Sequence, residues 1–248
     1  MLSFKKENRH FLIERISQIQ NMTIGNKRLI IILGLLGDFD SLEYIQALKD
    51  SMPVLESSNI KLTIIGIGNE SSRNKFSKFI GITTEFIELE KDRSLHTKLG
   101  LARGSNFRIG GLSNLLLMCA GIASPGTIKE VIRGYIGDRN SNQIYKDDQQ
   151  VCNALIPKLK GRMFSYFWGK GFLRPFEMAT LRLGNMIEVM RNWNTYMINH
   201  AYLPQRGGTF LLDENNKLLY YFLPQGLLGY SATMSQPIHF LRKYLNNI

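Results

Sequence analysis

The chain has 248 residues, of which 44% are hydrophobic, 21% are charged and 10% are aromatic. This length suffices for the core of one large domain, and the composition excludes a disordered chain, a collagen-like repeat and a small disulfide scaffold. The 31 Lys and Arg outnumber the 20 Asp and Glu, so the formal net charge is +11, which is typical of proteins with an anionic partner and indicates nothing about the fold.

The first hundred residues alternate between two hydrophobic periods. Apolar residues at helical spacing predict helices at residues 8–20, 41–54, 69–80 and 92–99. Short apolar runs rich in β-branched residues predict strands at residues 28–34, 61–67 and 84–88. This βαβαβα order predicts a parallel or mostly parallel sheet with helices on its faces.

The pattern changes after residue 103. Apolar spacing predicts helices at residues 112–121, 127–133, 176–193 and 235–245, and the polar stretch at 137–150 is typical of a surface loop. Two apolar segments at residues 208–213 and 217–222 flank Glu214-Asn215-Asn216, which predicts a β-hairpin.

The two cysteines, Cys119 and Cys152, form no CxxC motif and lie in no His-rich neighbourhood. We therefore expect no structural zinc site, no other metal and no cofactor. No secretory signal is expected at the start of the sequence, and the apolar run at residues 112–123 is too short to span a bilayer. A reducing, cytoplasmic compartment suits these features.

Three stretches resemble the peroxiredoxin-like AhpC/TSA family of the thioredoxin superfamily. They are LIIILGLLGDFDSLEYIQAL, IELEKDRSLHTKLGLARG and GGTFLLDENNKLLYYF. The resemblance implies an α/β, thioredoxin-like fold: a central mixed sheet with flanking helices in a single domain. The core would comprise residues 25–105 and 205–248, and a largely helical insertion at 106–204 would precede the C-terminal hairpin. LMCAGIASPGTIKEVIRGYIGDR and RPFEMATLRLGNMIEVMRNWNTY resemble a cyanobacterial and chloroplast subgroup, which implies the cyanobacterial cytosol or the chloroplast stroma.

The family's chemistry depends on a cysteine at the elbow between the central strand and the next helix, where the helix N-terminus stabilises a thiolate. Here the elbow contains Gly37, Asp38, Asp40 and Ser41, and no cysteine. Asp38 and Ser41 stand where relatives carry CxxC. The serine is no substitute, because a hydroxyl cannot cycle through oxidation states.

The carboxylates of the elbow have two interpretations. Asp40 and Glu43, three residues apart, match a capping box, so we expect these side chains to close the helix start. A carboxylate-based catalytic or metal role is the less favoured alternative.

The resemblance also places an arginine three residues before the hairpin Phe, where it would steady the thiolate. That position is Gly207, and Arg206 precedes it. A slip of one residue in an extended chain sends the side chain to the other face, so we expect Arg206 to point away from the elbow. Gly208 stands where thioredoxins have a cis-proline.

The remaining thiols are weak candidates for redox chemistry. Cys119 lies in an apolar run, where we expect an inert, buried thiol. Cys152 has Asp147 and Asp148 nearby, which disfavour a thiolate, and a redox-sensing role remains open for it.

The positive charge is densest after residue 157. A candidate surface for an anionic partner comprises Lys158, Lys160, Arg162, Lys170 and Arg174. The aromatic residues Phe164, Tyr166, Phe167, Trp168 and Phe172 alternate with these basic residues. Basic side chains that bind phosphates, together with aromatic rings inserted at the interface, would suit an anionic surface. The alternative is a solvated basic face whose aromatic rings point into the core.

Three hypotheses follow for the function. The first is a non-catalytic, thioredoxin-fold protein that serves in binding, assembly or regulation with a protein partner. The second is a thiol-dependent antioxidant peroxidase that uses Cys119 or Cys152. The third is a protein that binds an anionic membrane surface through its basic segment. No RNP, helix-turn-helix or zinc-finger pattern supports nucleic acid as the partner, and the oligomeric state stays open.

Overall fold

The computed structural model describes residues 4–19, 25–103, 126–153, 156–166 and 169–245, and of residues 152, 153 and 156–158 it describes the backbone alone. Its strands are β1 (Lys27–Leu35), β2 (Ile60–Ile67), β3 (Ile87–Glu90), β4 (Gln150–Asn153), β5 (Ile156–Lys160), β6 (Gly208–Leu212) and β7 (Leu218–Phe222). Five strands form one sheet in the order β3-β2-β1-β6-β7, and β4 and β5 form a separate antiparallel pair.

The main sheet is mixed. β1 pairs in parallel with β2, and β2 pairs in parallel with β3. On its other edge β1 pairs antiparallel with β6, which continues into the hairpin with β7. A sheet of this kind with helices on both faces fits the α/β, thioredoxin-like fold that the resemblance implies.

Helices cover both faces of the sheet. They are α1 (Lys6–Ser17), α2 (Phe39–Lys49), α3 (Met52–Ser57), α4 (Glu70–Ile80), α5 (Ser94–Lys98), α6 (Thr127–Ile136), α7 (Glu177–Arg191) and α8 (Trp193–Tyr196). None of the helices in the described ranges has the length and apolar character that crossing a bilayer requires.

Successive residues of the central strand serve two different cores because side chains alternate across a sheet. Ile31 belongs to the core under α2, α4 and α7, whereas Ile30 and Ile32 belong to the core under α1 and α5. All three isoleucines are buried, and full burial of such a side chain contributes about 1.5–3 kcal/mol. The uninterrupted apolar run of β1 is thus explained by cover on both faces.

Several boundaries differ from the sequence-based expectations. The helix expected at 41–54 is two helices, because Pro53 cannot continue the first and occupies the first turn of α3. The strand expected at 84–88 begins at Ile87, after a 3-10 turn. The last helix is a 3-10 segment, His239–Tyr244. The helix expected at 112–121 lies outside the described residues.

Residues 137–150 lie largely at the surface, as a loop does, and hydrogen bonds hold one end of them against Leu173. The Asp138 amide donates to the Leu173 carbonyl at 2.8 Å, and the Leu173 amide donates to the Ser141 carbonyl at the same distance. Ser141 and Leu173 are buried. The described part of 106–204 contains three helices, α6, α7 and α8, and the β4-β5 pair, and its division from the core as an insertion stays a prediction.

Candidate functional site

The elbow joins the end of β1 to the start of α2. The Asp38 amide donates to the Leu35 carbonyl at 3.0 Å, and α2 begins at Phe39. Gly37 is required here, because a Cβ at this position would overlap the side chain of Tyr196. The elbow therefore lies directly against α8, with no room for a larger residue at position 37.

The carboxylates of the elbow do not form the expected capping box. Asp38 is the N-cap residue and its side chain makes no capping hydrogen bond. Asp40 accepts from the Leu228 amide at 2.8 Å and from Arg206 Nη1 at 2.9 Å. Glu43 accepts from Arg182 Nε at 2.7 Å. The capping prediction was wrong because donors from distant segments bind these carboxylates.

Arg206 is buried and points into the elbow, contrary to expectation. Its Nη1 lies 2.9 Å from Asp40 Oδ2 and 3.8 Å from Asp38 Oδ2. The guanidinium also donates to the carbonyls of Pro204 and Leu203. The alternation of an extended chain does not apply at this residue, because residues 200–205 form turns and β6 begins only at residue 208.

One buried guanidinium thus lies between two carboxylates. Burial and the neighbouring Asp38 charge raise the pKa of Asp40 to about 7, while Arg206 acts in the opposite direction. Burial likewise raises the pKa of Asp38. The pair therefore retains a proton at a pH where exposed aspartates have lost theirs.

A second ion pair lies behind the first. Arg182 holds Glu43 in a bidentate pair, with Nε and Nη2 at 2.7 and 3.0 Å from its oxygens. The Tyr230 hydroxyl donates to Glu43 at 3.1 Å, and its ring stacks on Tyr44 with centroids 4.8 Å apart. Burial and the Glu43 charge raise the pKa of Tyr230 well above its usual value. The sequence carried no signal for these partners, because they lie 139 and 187 residues from Glu43.

A cavity of about 30 Å³ opens between these groups, lined by residues that include Asp38, Ser41 and Arg206. That volume suits one water molecule. The elbow contains carboxyl groups, a guanidinium and hydroxyls, and no group that a peroxide could oxidise reversibly. Within the described ranges, no group of three or more His, Cys, Asp or Glu could hold a metal ion.

The side chains of both candidate thiols fall outside the described part of the chain. Cys119 lies outside the described residues, and Cys152 is described only by its backbone in β4. Their roles stay predictions.

The candidate basic residues are divided between the surface and the interior of the protein. Lys160, Arg162 and Lys170 are exposed, and Lys170 lies 2.7 Å from Asp147. Arg174 was wrongly expected on this surface: it is fully buried, and its Nη2 lies 2.7 Å from Glu177. The reason is the planar guanidinium, whose several donors can be satisfied at once by buried acceptors.

Arg174 has further buried partners, and the aromatic residues near it differ in their exposure. Arg174 also donates to Ser165 at 2.6 Å and to the Tyr145 carbonyl at 2.6 Å. Phe164 stacks on Tyr145 and lies beneath the guanidinium, whereas Tyr166 is 78% exposed. The side chain of Lys158, and residues 167 and 168, lie outside the described part.

Comparison with known proteins identifies a family. The family model described as AhpC/TSA antioxidant enzyme matches residues 47–226. No curated protein and no solved structure matches the chain. The matched region includes α6 and α7 as well as β2, β3, β6 and β7, and it begins after the elbow.

Proposed function

The chain belongs to the AhpC/TSA antioxidant enzyme family, and on that premise we propose that it is a non-catalytic member that serves as a binding, assembly or regulatory protein. The observation that carries the proposal is the Asp38–Arg206–Asp40 cluster at the elbow. Carboxylates stand there in place of a thiol.

The chemistry of the elbow supports this proposal in two ways. A peroxidase needs a nucleophile that alternates between thiolate and sulfenic acid, and residues 36–43 supply none. It also needs a cation free to stabilise the thiolate and polarise the peroxide. Arg206 is 3% exposed and donates a hydrogen bond of 2.9 Å to Asp40, so its charge is already neutralised.

The test is peroxide consumption with dithiothreitol or thioredoxin as reductant. We expect wild type and the Cys119→Ser/Cys152→Ser double variant to consume peroxide at the same background rate. An active thiol peroxidase, assayed alongside, verifies the conditions. Turnover by wild type that the double variant loses would refute the proposal in favour of a thiol-dependent antioxidant enzyme.

A second candidate function is binding to an anionic membrane surface. Lys160, Arg162 and Lys170 support it by their exposure, although the ion pair of Lys170 with Asp147 reduces the local charge. Each Lys or Arg side chain near an anionic membrane surface contributes about 1 kcal/mol to the free energy of binding.

Co-sedimentation with vesicles that contain anionic lipid at low salt tests this candidate. We expect binding that falls when Lys158, Lys160, Arg162 and Lys170 are replaced by alanine. The matched control removes the same charge elsewhere, at the exposed residues Lys5, Lys61, Lys78 and Lys91. No binding by wild type, or equal loss in both variants, would rule out a specific basic surface.

The proposal extends to partner and compartment. A protein partner is favoured over nucleic acid because the sequence has no nucleic-acid-binding motif. Two cysteines without a pairing motif suit a reducing compartment, and the resemblance stated above favours the cyanobacterial cytosol or the chloroplast stroma. Immunolocalisation in the source cells tests the compartment.

A further inference from the structure

A cavity of about 490 Å³ lies between α6 and α7. It is much larger than the cavity at the elbow, and its volume falls in the range of roughly 300–1,000 Å³ that is typical of small-molecule sites. Its walls are mostly apolar and its lining includes Val131, Ala179, Leu183, Met186 and Leu227. Asp40 lines both cavities, so the larger one extends to the elbow.

The helices approach closely beside this cavity. A Cβ on Gly134 of α6 would lie 3.0 Å from Arg182 Nη1 and 3.7 Å from the Ala179 amide nitrogen of α7. Arg182 Nη1 also donates a hydrogen bond of 2.8 Å to the Glu130 carbonyl. The cavity is therefore bounded by helices that are joined to each other and, through Glu43, to the elbow.

Backbone strain is concentrated around the cavity. In the described part of the chain, four residues other than glycine have a positive φ. Two are asparagines, which tolerate this conformation, and the other two are Phe176 and Leu228. Both line the cavity. Strain of this kind in bulky residues is typical of ligand sites, where the surrounding structure holds it.

The aromatic side chains at one side of the cavity are open to solvent. Tyr135 is 52% exposed and Phe176 is 60% exposed, and their rings meet edge to face with centroids 6.0 Å apart. The Phe176 amide donates to the Tyr135 carbonyl at 3.0 Å, which holds the two residues together. An apolar molecule could enter between these rings and the cavity walls without unfolding either helix.

The charges that line the cavity are neutralised within the protein. Arg182 is paired with Glu43, and Asp40 is paired with Arg206. Asn185 and Gln46 exchange two hydrogen bonds of 2.9 Å. Among the described lining residues, no charge is therefore left unpaired that would recognise a carboxylate, a phosphate or an ammonium group.

Hydrogen-bonding capacity nevertheless remains at Asp40 and Arg182, which both line the cavity. Oδ1 of Asp40 accepts from the Leu228 amide and Oδ2 accepts from Arg206 Nη1, whereas a carboxylate has about four acceptor sites. Arg182 has five N–H donors, of which three are used in hydrogen bonds to Glu43 and Glu130. A hydroxyl is an uncharged group that can both donate to a carboxylate and accept from a guanidinium.

We propose that the cavity between α6 and α7 binds an uncharged apolar alcohol or phenol, with its hydroxyl at the end lined by Asp40 and Arg182 and its hydrocarbon body between the helices. Binding here is independent of whether the elbow is catalytic, so the proposal does not rest on the proposed function.

Isothermal titration calorimetry with three matched probes tests the proposal. The probes are para-butylphenol, butylbenzene and para-butylbenzoate. We expect the phenol to bind one molecule per chain, about tenfold more tightly than the hydrocarbon, because a buried hydroxyl leaves no polar partner unpaired. The benzoate is expected to bind more weakly than the phenol, because burial would remove water from its charge and the charged residues that line the cavity, Asp40 and Arg182, already have partners.

Variants locate the binding. Leu183→Trp fills the cavity and is expected to abolish phenol binding, whereas Met190→Trp on the same helix is the control, because Met190 is 46% exposed and does not line the cavity. Ala179→Leu is a smaller filling that replaces Leu183→Trp if that variant does not fold. No phenol binding by wild type, binding that survives both fillings, or equal binding of all three probes would each overturn the proposal.

Discussion

The elbow carboxylates make the stability of the protein depend on pH in an unusual direction. The pKa of Asp40 is raised from 3.8 to about 7 in the folded protein. Between these values the folded state retains a proton that the unfolded state has released, so the free energy of unfolding falls as the pH rises from about 4 to about 7. At about 1.4 kcal/mol per pH unit, the full loss is about 4 kcal/mol, of which about 3 kcal/mol falls between pH 5 and pH 8.

Asp40→Asn removes this titration and keeps an oxygen that can accept from the Leu228 amide. We expect the variant to gain about 3 kcal/mol relative to wild type between pH 5 and pH 8. Urea unfolding followed by tryptophan fluorescence, at several pH values, measures the difference. Burial lowers the pKa of His96, which destabilises the folded state in acid, but His96 is common to both proteins and cancels in the comparison.

The matched control is Asp92→Asn. Asp92 is exposed, and its hydrogen bonds with Ser94 lower its pKa. Its contribution therefore has the opposite sign: stability would be lost as the pH falls. If the stability curves of wild type and Asp40→Asn run parallel from pH 5 to pH 8, or diverge in the opposite sense, the account of the elbow given above is wrong.

Two further predictions concern packing around the elbow. Arg182→Met leaves Glu43 as a buried, unpaired charge and is expected to lower the free energy of unfolding by about 3–5 kcal/mol, measured by chemical unfolding. Arg182→Met/Glu43→Leu removes that charge as well and is expected to recover much of the loss. A double variant as unstable as the single one would contradict the pairing. Gly37→Ala is expected to cost about 1–3 kcal/mol in the same measurement, because its Cβ would overlap Tyr196. Gly229→Ala, whose Cβ would meet nothing closer than 3.7 Å, is the control and is expected to change little; equal effects of the two substitutions would argue against close packing at Gly37.

The parallel strands and the hairpin could be predicted because their signals are local. The apolar run of β1 and the two segments around Glu214-Asn215-Asn216 each carry their own period, and the structure places β1, β6 and β7 side by side. Helix ends were harder to predict, since Pro53 divides one expected helix into two. An apolar face accordingly predicts that an element exists better than it predicts where that element ends.

The elbow shows where local signals fail. Asp40 and Glu43 have the spacing of a capping box, yet their partners are Arg206 and Arg182, which lie 166 and 139 residues away. Arg174 shows the same limit: a basic residue in a basic segment was expected on the surface, and it lies buried against Glu177. A carboxylate or a guanidinium binds whichever partner the fold places within reach.

By itself, the sequence determined the class of fold, the family resemblance and the absence of a cysteine from residues 36–43, because periodicity, motifs and residue identity are properties of short segments. Only the tertiary structure decided what the elbow contains in place of the thiol, and that a cavity of about 490 Å³ extends to it. Both depend on segments that converge from opposite ends of the chain, and the donors and acceptors that meet there are selected by distance in space, which the order of residues does not specify.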